Sequence, residues 1–119
     1  MSINSAEFER LVEEALDSLP DRFAALLENI VVVVEEEPDA SDLAVMDDPN
    51  GELLGIYRGT PMTRRSSFNT FNMPEQVAIF RGPILRVTRG AQEAKRQIRE
   101  TVIHEIGHHF GLSDHDMVY

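Results

Sequence analysis

The side chains best suited to chemistry are the histidines, which cluster toward the end of the printed sequence. All four lie from position 104 onward: His104, His108, His109 and His115. His104 and His108 are four residues apart, so on a helix they share one face and can hold a metal ion through imidazole nitrogens. Glu105 completes the H-E-x-x-H arrangement, in which a carboxylate beside the metal acts as general base. The spacing therefore predicts a metal site with His104 and His108 as ligands and Glu105 as base.

Helical angles separate this site from the helix's apolar side. At about 100° per residue, the residues close to His104 on one face are Gln97, Glu100, Thr101, His108 and Gly111. The apolar residues on the other side are Ile98, Val102, Ile103, Ile106 and Phe110. His109 falls within the apolar arc, and we interpret it as a core histidine or a support for the ligands.

A catalytic zinc needs a third protein ligand and an open position. Gly111 is placed to end the helix, because glycine readily adopts the left-handed conformation found there. The chain can then turn back and bring Asp114 to the metal. His115 competes with it, and Asp116 and the terminal carboxylate of Tyr119 are near in sequence. Two imidazoles and a carboxylate favour zinc, although the same set also suits iron(II).

Three segments have the apolar period of a helix. Asn4 and Glu7 form a capping arrangement before the first, which ends at Leu19-Pro20 because a residue before proline disfavours helix. A shorter helix restarts at Pro20 and is expected to bury Phe23, Leu26 and Leu27. The longest pattern runs from Ala91 to about Phe110 and carries the histidine motif.

Short β-branched and alternating runs predict a small sheet between these helices. The predicted strands are Ile30–Val34, Leu43–Met46, Leu53–Tyr57, Val77–Phe80 and Ile84–Val87. We expect the first to be buried on both faces and the last two to form a hairpin across Gly82-Pro83. Pro38–Asp42 is predicted to be a loop, and the acidic residues around Asp48 lack the spacing of a calcium-binding EF-hand loop. The pattern predicts a single α+β domain over residues 1–119.

Composition narrows the class of protein further. The 119 residues include no cysteine, which excludes disulfides, iron–sulfur clusters and thiolate nucleophiles. The net charge is −10, with 15 acidic and 3 basic residues in 1–60, so we expect no nucleic-acid partner. We interpret the sparse arginines of the chain as solvated loop and strand edges: Arg58, Arg64, Arg65, Arg81, Arg86 and Arg89. No apolar run is long enough to span a membrane and no secretion signal is present, so we expect a cytoplasmic protein.

The run His104–Asp114 is similar to the extended zincin signature H-E-x-x-H-x-x-G-x-x-[HD] of metzincin-type metallopeptidases. The whole chain resembles the bacterial minimal zincin-like metallopeptidase family, also through Gly55-Ile56-Tyr57-Arg58-Gly59-Thr60-Pro61-Met62-Thr63, Arg65-Ser66 and Phe80-Arg81. The resemblance implies a small twisted mixed sheet with packed helices and a C-terminal active-site helix beneath an edge strand. It also implies that His104, His108 and Asp114 are the ligands and Glu105 the base.

These expectations favour a zinc-dependent metallopeptidase that acts on a peptide or protein substrate. Metzincins continue past the third ligand into a Met-containing turn, whereas this sequence ends five residues after Asp114, so we expect a half-built cleft. The substrate would extend along Ile84–Val87 or Val77–Phe80, with Tyr57 or a loop arginine as oxyanion donor. Two alternatives remain, a metal-stabilised binding module that uses the Gly59–Met73 loop and a hydrolase of small amides.

Overall fold

A three-stranded mixed sheet carries the helices of this α+β protein. The computed structural model describes residues 3–44, 51–58 and 75–109, the last two of them by their backbone alone. The helices are α1 (Ser5–Asp17), α2 (Asp21–Leu26), α3 (Ala40–Leu43), α4 (Arg81–Val87) and α5 (Ala91–His109). The strands are β1 (Ile30–Glu35), β2 (Gly55–Arg58) and β3 (Glu75–Phe80).

The sheet is built around β3, which lies between the other two strands. It pairs in parallel with β1 and antiparallel with β2, so that Val77 faces Val32 on one side and Tyr57 on the other. Residues 77–80 of β3 are all buried, because the strand has a neighbour at each side and packed side chains on both faces. The predicted strand Val77–Phe80 is therefore confirmed, and it is the centre of the sheet.

The first predicted strand is confirmed in position, but its expected burial on both faces was wrong. β1 lies at one end of the strand order in the described sheet, and Val31 is 44% exposed. Ile30 is the only residue of β1 that is buried. The β-branched run of β1 reflects the preference of valine for an extended backbone. The strand that is buried on both faces is β3.

The predicted hairpin at Gly82-Pro83 was also wrong, because residues 81–87 form helix α4. Pro83 lies in the first turn, where its missing N–H has no helical partner to lose. The Gly82 amide instead donates to the carbonyl of Glu36 at 2.9 Å, which ties the start of α4 to the end of β1. The apolar run Ile84–Val87 is short enough to form either a strand or a helix. In the helix that it forms, Ile84 is the residue of this run that is buried.

Leu43 belongs to α3 rather than to the predicted strand Leu43–Met46, and α3 begins inside the predicted loop Pro38–Asp42. A capping box explains this helix, since Asp39 accepts from the Asp42 amide at 2.8 Å and Asp42 accepts from the Asp39 amide at 3.0 Å. Residues 45–50, including the acidic turn, lie outside the described residues. The strand predicted over Leu53–Tyr57 is present as β2, which begins two residues later and ends one residue later than predicted.

The two N-terminal helices agree with the sequence pattern. Asn4 caps α1 by accepting from the Glu7 amide at 2.8 Å. The buried face of α1 (Phe8, Val12, Ala15) and Phe23 of α2 enter one apolar core with β3 and α5. Leu26 and Leu27 pack against this core while partly exposed. Among the described residues, no helix is both long and apolar enough to cross a membrane.

Candidate active site

Helix α5 presents the first half of the histidine motif at the surface of the protein. It is helical from Ala91 to His109, so His104 and His108 lie one turn apart, as predicted. His104 is exposed and Glu105 is half-buried. The His108 and His109 side chains and the predicted ligand Asp114 lie outside the described residues, so the ligand set stays a prediction. The same holds for the competing ligand His115, and for Asp116 and Tyr119, which are near it in sequence.

The opposite side of α5 anchors the site to the core. The residues of this helix that are fully shielded from solvent are Ala94, Ile98, Val102, Ile103 and Ile106. This face packs against α1 and the sheet, which fixes the axis of the helix and hence the direction of its polar face. The predicted apolar arc is confirmed for Ile98, Val102, Ile103 and Ile106, whereas Phe110 and the side chain of His109 lie outside the described residues.

Thr101 departs from the simple division into a polar and an apolar face. It lies on the predicted ligand face, yet it is 7% exposed, because β2 passes directly over it. The strand comes this close at Gly55, where an added Cβ would lie 2.6 Å from Thr101 Cγ2 and 2.9 Å from the carbonyl oxygen of Ala78. A glycine is required here for the close approach of strand and helix.

A shallow cleft of about 210 Å³ lies where β2 and its preceding residues meet α5. Its lining residues are Leu53, Leu54, Gly55, Gln97, Thr101, His104 and Glu105. The apolar contributions come from the segment leading into β2, and the polar groups come from α5. Two of the motif residues, His104 and Glu105, therefore share one concave surface that is open to solvent.

The Glu105 carboxylate is bonded to the backbone of β2. The amide of Tyr57 donates to Glu105 Oε1 at 2.8 Å in a partly buried position. A charge-assisted bond of this length holds the carboxylate more firmly than a contact with solvent. The glutamate expected to act as base is thus tied to the strand above the helix.

The predicted oxyanion donors have other partners in this structure. The Tyr57 hydroxyl donates to Glu75 Oε2 at 2.5 Å, across the start of β3. Arg58 makes paired hydrogen bonds with Glu35, at 2.7 and 2.9 Å, and with Asp42, at 2.7 and 3.2 Å. The hydrogen bond to Glu35, and after it the one to Asp42, holds the pKa of Arg58 above its ordinary value. The loop arginines Arg64 and Arg65 lie outside the described residues.

Sequence reasoning missed the two contacts that fix β2 over α5. The Gly55–Thr101 approach had a signal, since an isolated glycine inside a strand pattern marks a close backbone contact. The Tyr57–Glu105 hydrogen bond had none, because it joins a backbone amide to a side chain 48 positions away.

Among the side chains that the structure describes, those of residues 3–44, 51–58 and 75–107, no three of His, Asp or Glu come together in a metal-binding group. The predicted ligand set extends past these ranges, so this finding leaves it untested. The donors that zinc prefers include imidazole and carboxylate. His104 fits this preference because it is exposed in the cleft, and the helix continues to His108.

The amino-acid sequence was compared with models of known protein families. A family model described as zincin-like metallopeptidase matches residues 27–119. The protein therefore belongs to the zincin-like metallopeptidase family.

Among solved structures, the fold is similar to that of a conserved hypothetical protein from T. thermophilus. The TM-score is 0.60 at 23% sequence identity, over 91% of this chain and 94% of that one. At this identity the likeness shows the fold alone. No curated protein sequence matches the chain.

Proposed function

We propose that this protein is a zinc-dependent peptidase in which Glu105 is the general base and His104, His108 and Asp114 hold the metal. The observation that carries the proposal is that His104 and Glu105 line one open cleft between α5 and the edge of β2. Membership of the zincin-like metallopeptidase family supports it.

The roles of the residues follow from their chemistry. Bound zinc supplies a Lewis acid that makes water acidic near neutral pH and polarises a carbonyl. Glu105 accepts the proton of the attacking water and delivers it to the leaving amine. The Tyr57 amide keeps the carboxylate within the cleft during both transfers.

The strand that borders the substrate is β2, which replaces the two strand edges expected from the sequence. Ile84–Val87 is helical, and Val77–Phe80 is paired on both sides, so neither has a free edge to offer. β2 pairs with β3 on one side and borders the cleft on the other. We therefore place an extended peptide substrate in the cleft beside β2 and the residues that precede it.

The proposal is tested by metal content and peptide hydrolysis on tag-free protein purified without added metal. Elemental analysis is expected to find about one equivalent of zinc in the wild type, as one catalytic site per chain requires. Asp114→Ala should lose most of it, whereas Asp116→Ala, a matched aspartate two residues on, should keep it. The wild type should cleave members of an internally quenched peptide library.

Three other results would contradict the proposal. Absence of zinc, with no thermal shift on adding it, would exclude a metal site. Zinc that stabilises the fold without cleavage of any peptide would support the metal-stabilised binding module. Cleavage of small amides alone would move the function to the small-amide hydrolase.

A further inference from the structure

The direction of the Tyr57 amide, which donates to Glu105, follows from the way β2 pairs with β3. β2 is antiparallel to β3, and the carbonyl of Leu54 accepts from the amide of Phe80 at 2.9 Å. Backbone groups of an antiparallel strand alternate between facing the partner strand and facing away. Leu54 and Ile56 therefore bond to β3, and Gly55 and Tyr57 direct their amides to the cleft side.

The outward amide of Tyr57 lies at the height of Glu105 because two spacings match. Gly55 contacts Thr101, and Tyr57 bonds to Glu105, so two steps along the strand correspond to four along the helix. Two strand residues rise about 6.6 Å and four helical residues about 6 Å. The strand and the helix thus run side by side in the same direction, joined at two points in register.

We propose that the backbone amide of Tyr57 is a positioning group for Glu105, which it holds in the cleft beside His104. The inference rests on the proposed function for its catalytic meaning, but the contact itself belongs to the fold. The bond fixes one carboxylate oxygen, so the side chain keeps one orientation instead of sampling several rotamers. Any residue at position 57 other than proline supplies the same N–H.

The contact is tested without activity by amide hydrogen exchange, read by NMR on the protein with and without added zinc. In Glu105→Ala the Tyr57 amide should exchange about tenfold faster or more, as expected for loss of a bond to a charged group. Glu105→Gln retains an acceptor oxygen and should protect the amide partly. Gln97→Ala, another change in the cleft lining, should leave the exchange of Tyr57 unaltered. Equal exchange in wild type and Glu105→Ala would overturn the proposal.

The positioning role is tested by replacing the Ile56–Tyr57 amide with an ester, which removes this N–H, keeps the Tyr57 side chain and weakens the Ile56 carbonyl as an acceptor. With a peptide substrate from the library, kcat should fall about tenfold or more while KM and zinc content stay close to those of the wild type. The matched control is the ester between Gly55 and Ile56, which removes an amide that faces β3. It should lower thermal stability and leave kcat nearly unchanged.

Two changes at the same position separate the backbone from the side chain. Tyr57→Phe loses the bond to Glu75 but keeps the amide, so the slow exchange of that amide and its dependence on Glu105 should be retained. Tyr57→Pro should behave like the ester, since an edge strand tolerates proline where its N–H faces away from the sheet. An unchanged kcat in the ester variant would refute the positioning role. Failure of the wild type to cleave any peptide would refute the peptidase function, and hydrogen exchange would still decide the contact.

Discussion

At the scale of single residues, the motif makes Glu105 the side chain whose identity matters most. Its neighbours determine what it can do, since Tyr57 holds it from the strand and His104 lies next to it on the helix. Glutamine has nearly the same shape and still accepts a hydrogen bond, but it cannot take up a proton. The bond from Tyr57 and the proposed role of Glu105 as proton acceptor can therefore be separated by one substitution.

Glu105→Gln is expected to keep zinc and lose peptide cleavage by about a hundredfold or more, the usual contribution of a general base. Elemental analysis and the rate of hydrolysis measure the two properties on the same sample. Glu100→Gln, an exposed glutamate earlier in α5, is the matched control and should keep both. Substantial cleavage by Glu105→Gln would remove Glu105 from the role of base.

At the scale of secondary-structure elements, the site depends on how close β2 comes to α5. Gly55 permits the approach, and Thr101 is the surface that it meets. The methyl group of Thr101 blocks any larger residue at position 55, and the carbonyl of Ala78 blocks it from the other side. Separation of strand and helix would also lengthen the bond from Tyr57 to Glu105.

Gly55→Ala should lower the free energy of unfolding by about 1–3 kcal/mol, as overpacking does in a closed site. It should also speed hydrogen exchange at the Tyr57 amide. Denaturant unfolding of Gly55→Ala, Thr101→Ser and the double variant measures the coupling between them. Thr101→Ser removes the obstructing methyl, so the double variant should be more stable than the sum of the single effects predicts. Strict additivity would show that the methyl of Thr101 is not the obstacle.

The elements that the sequence predicts well are those with a long period. The α1 and α5 patterns extend over several turns, so the period alone was enough to place their apolar faces. Ile84–Val87 is too short for a period to distinguish helix from strand, and it was assigned wrongly. The motif residues of the site could be predicted in the same way as α5, but their contacts with β2 could not. Those contacts depend on how two distant segments meet, which no local pattern records.

At the scale of the whole molecule, ion pairs join segments that lie far apart in sequence. Three arginines of the structure pair with carboxylates that precede them in sequence: Arg58 with Glu35 and Asp42, Arg81 with Glu36, and Arg86 with Glu37 and Glu52. These arginines are not merely solvated strand and loop edges, as their spacing had suggested. They bind the acidic stretch after β1 to β2 and α4.

The pairing around Arg86 gives an expected dependence of stability on pH. Hydrogen bonds from Arg86 hold the pKa of both Glu37 and Glu52 below the ordinary value of 4.5. A carboxyl whose pKa is lowered by folding stabilises the protein fully at pH values above its pKa in the unfolded state. This contribution is lost as the pH falls through its pKa in the folded state. Both side chains are well exposed, so solvent screening keeps the effect small.

Arg86→Gln should therefore lower the melting temperature by more at pH 7 than at an acid pH, because the two carboxyls lose their charge as the pH falls through their lowered pKa. Thermal unfolding followed by circular dichroism at the two pH values measures the difference. Arg89→Gln makes the same change of charge at an exposed position three residues later, where no ion pair is present among the described residues. An equal shift for Arg86→Gln at both pH values would show that these ion pairs add nothing to stability.

The exposed side of β1 has a consequence for how the protein behaves at high concentration. β1 is rich in valine and lies at one end of the described sheet, where a strand can pair with the same strand of another molecule and lead to aggregation. Glu9 and Glu13 of α1 border the groove beside this strand, and the net charge of −10 makes molecules repel one another at neutral pH. As the pH approaches the isoelectric point near 4.7, that repulsion vanishes while Val31 remains exposed. Concentrated solutions should therefore stay clear at neutral pH and become turbid on mild acidification, before the fold itself is lost.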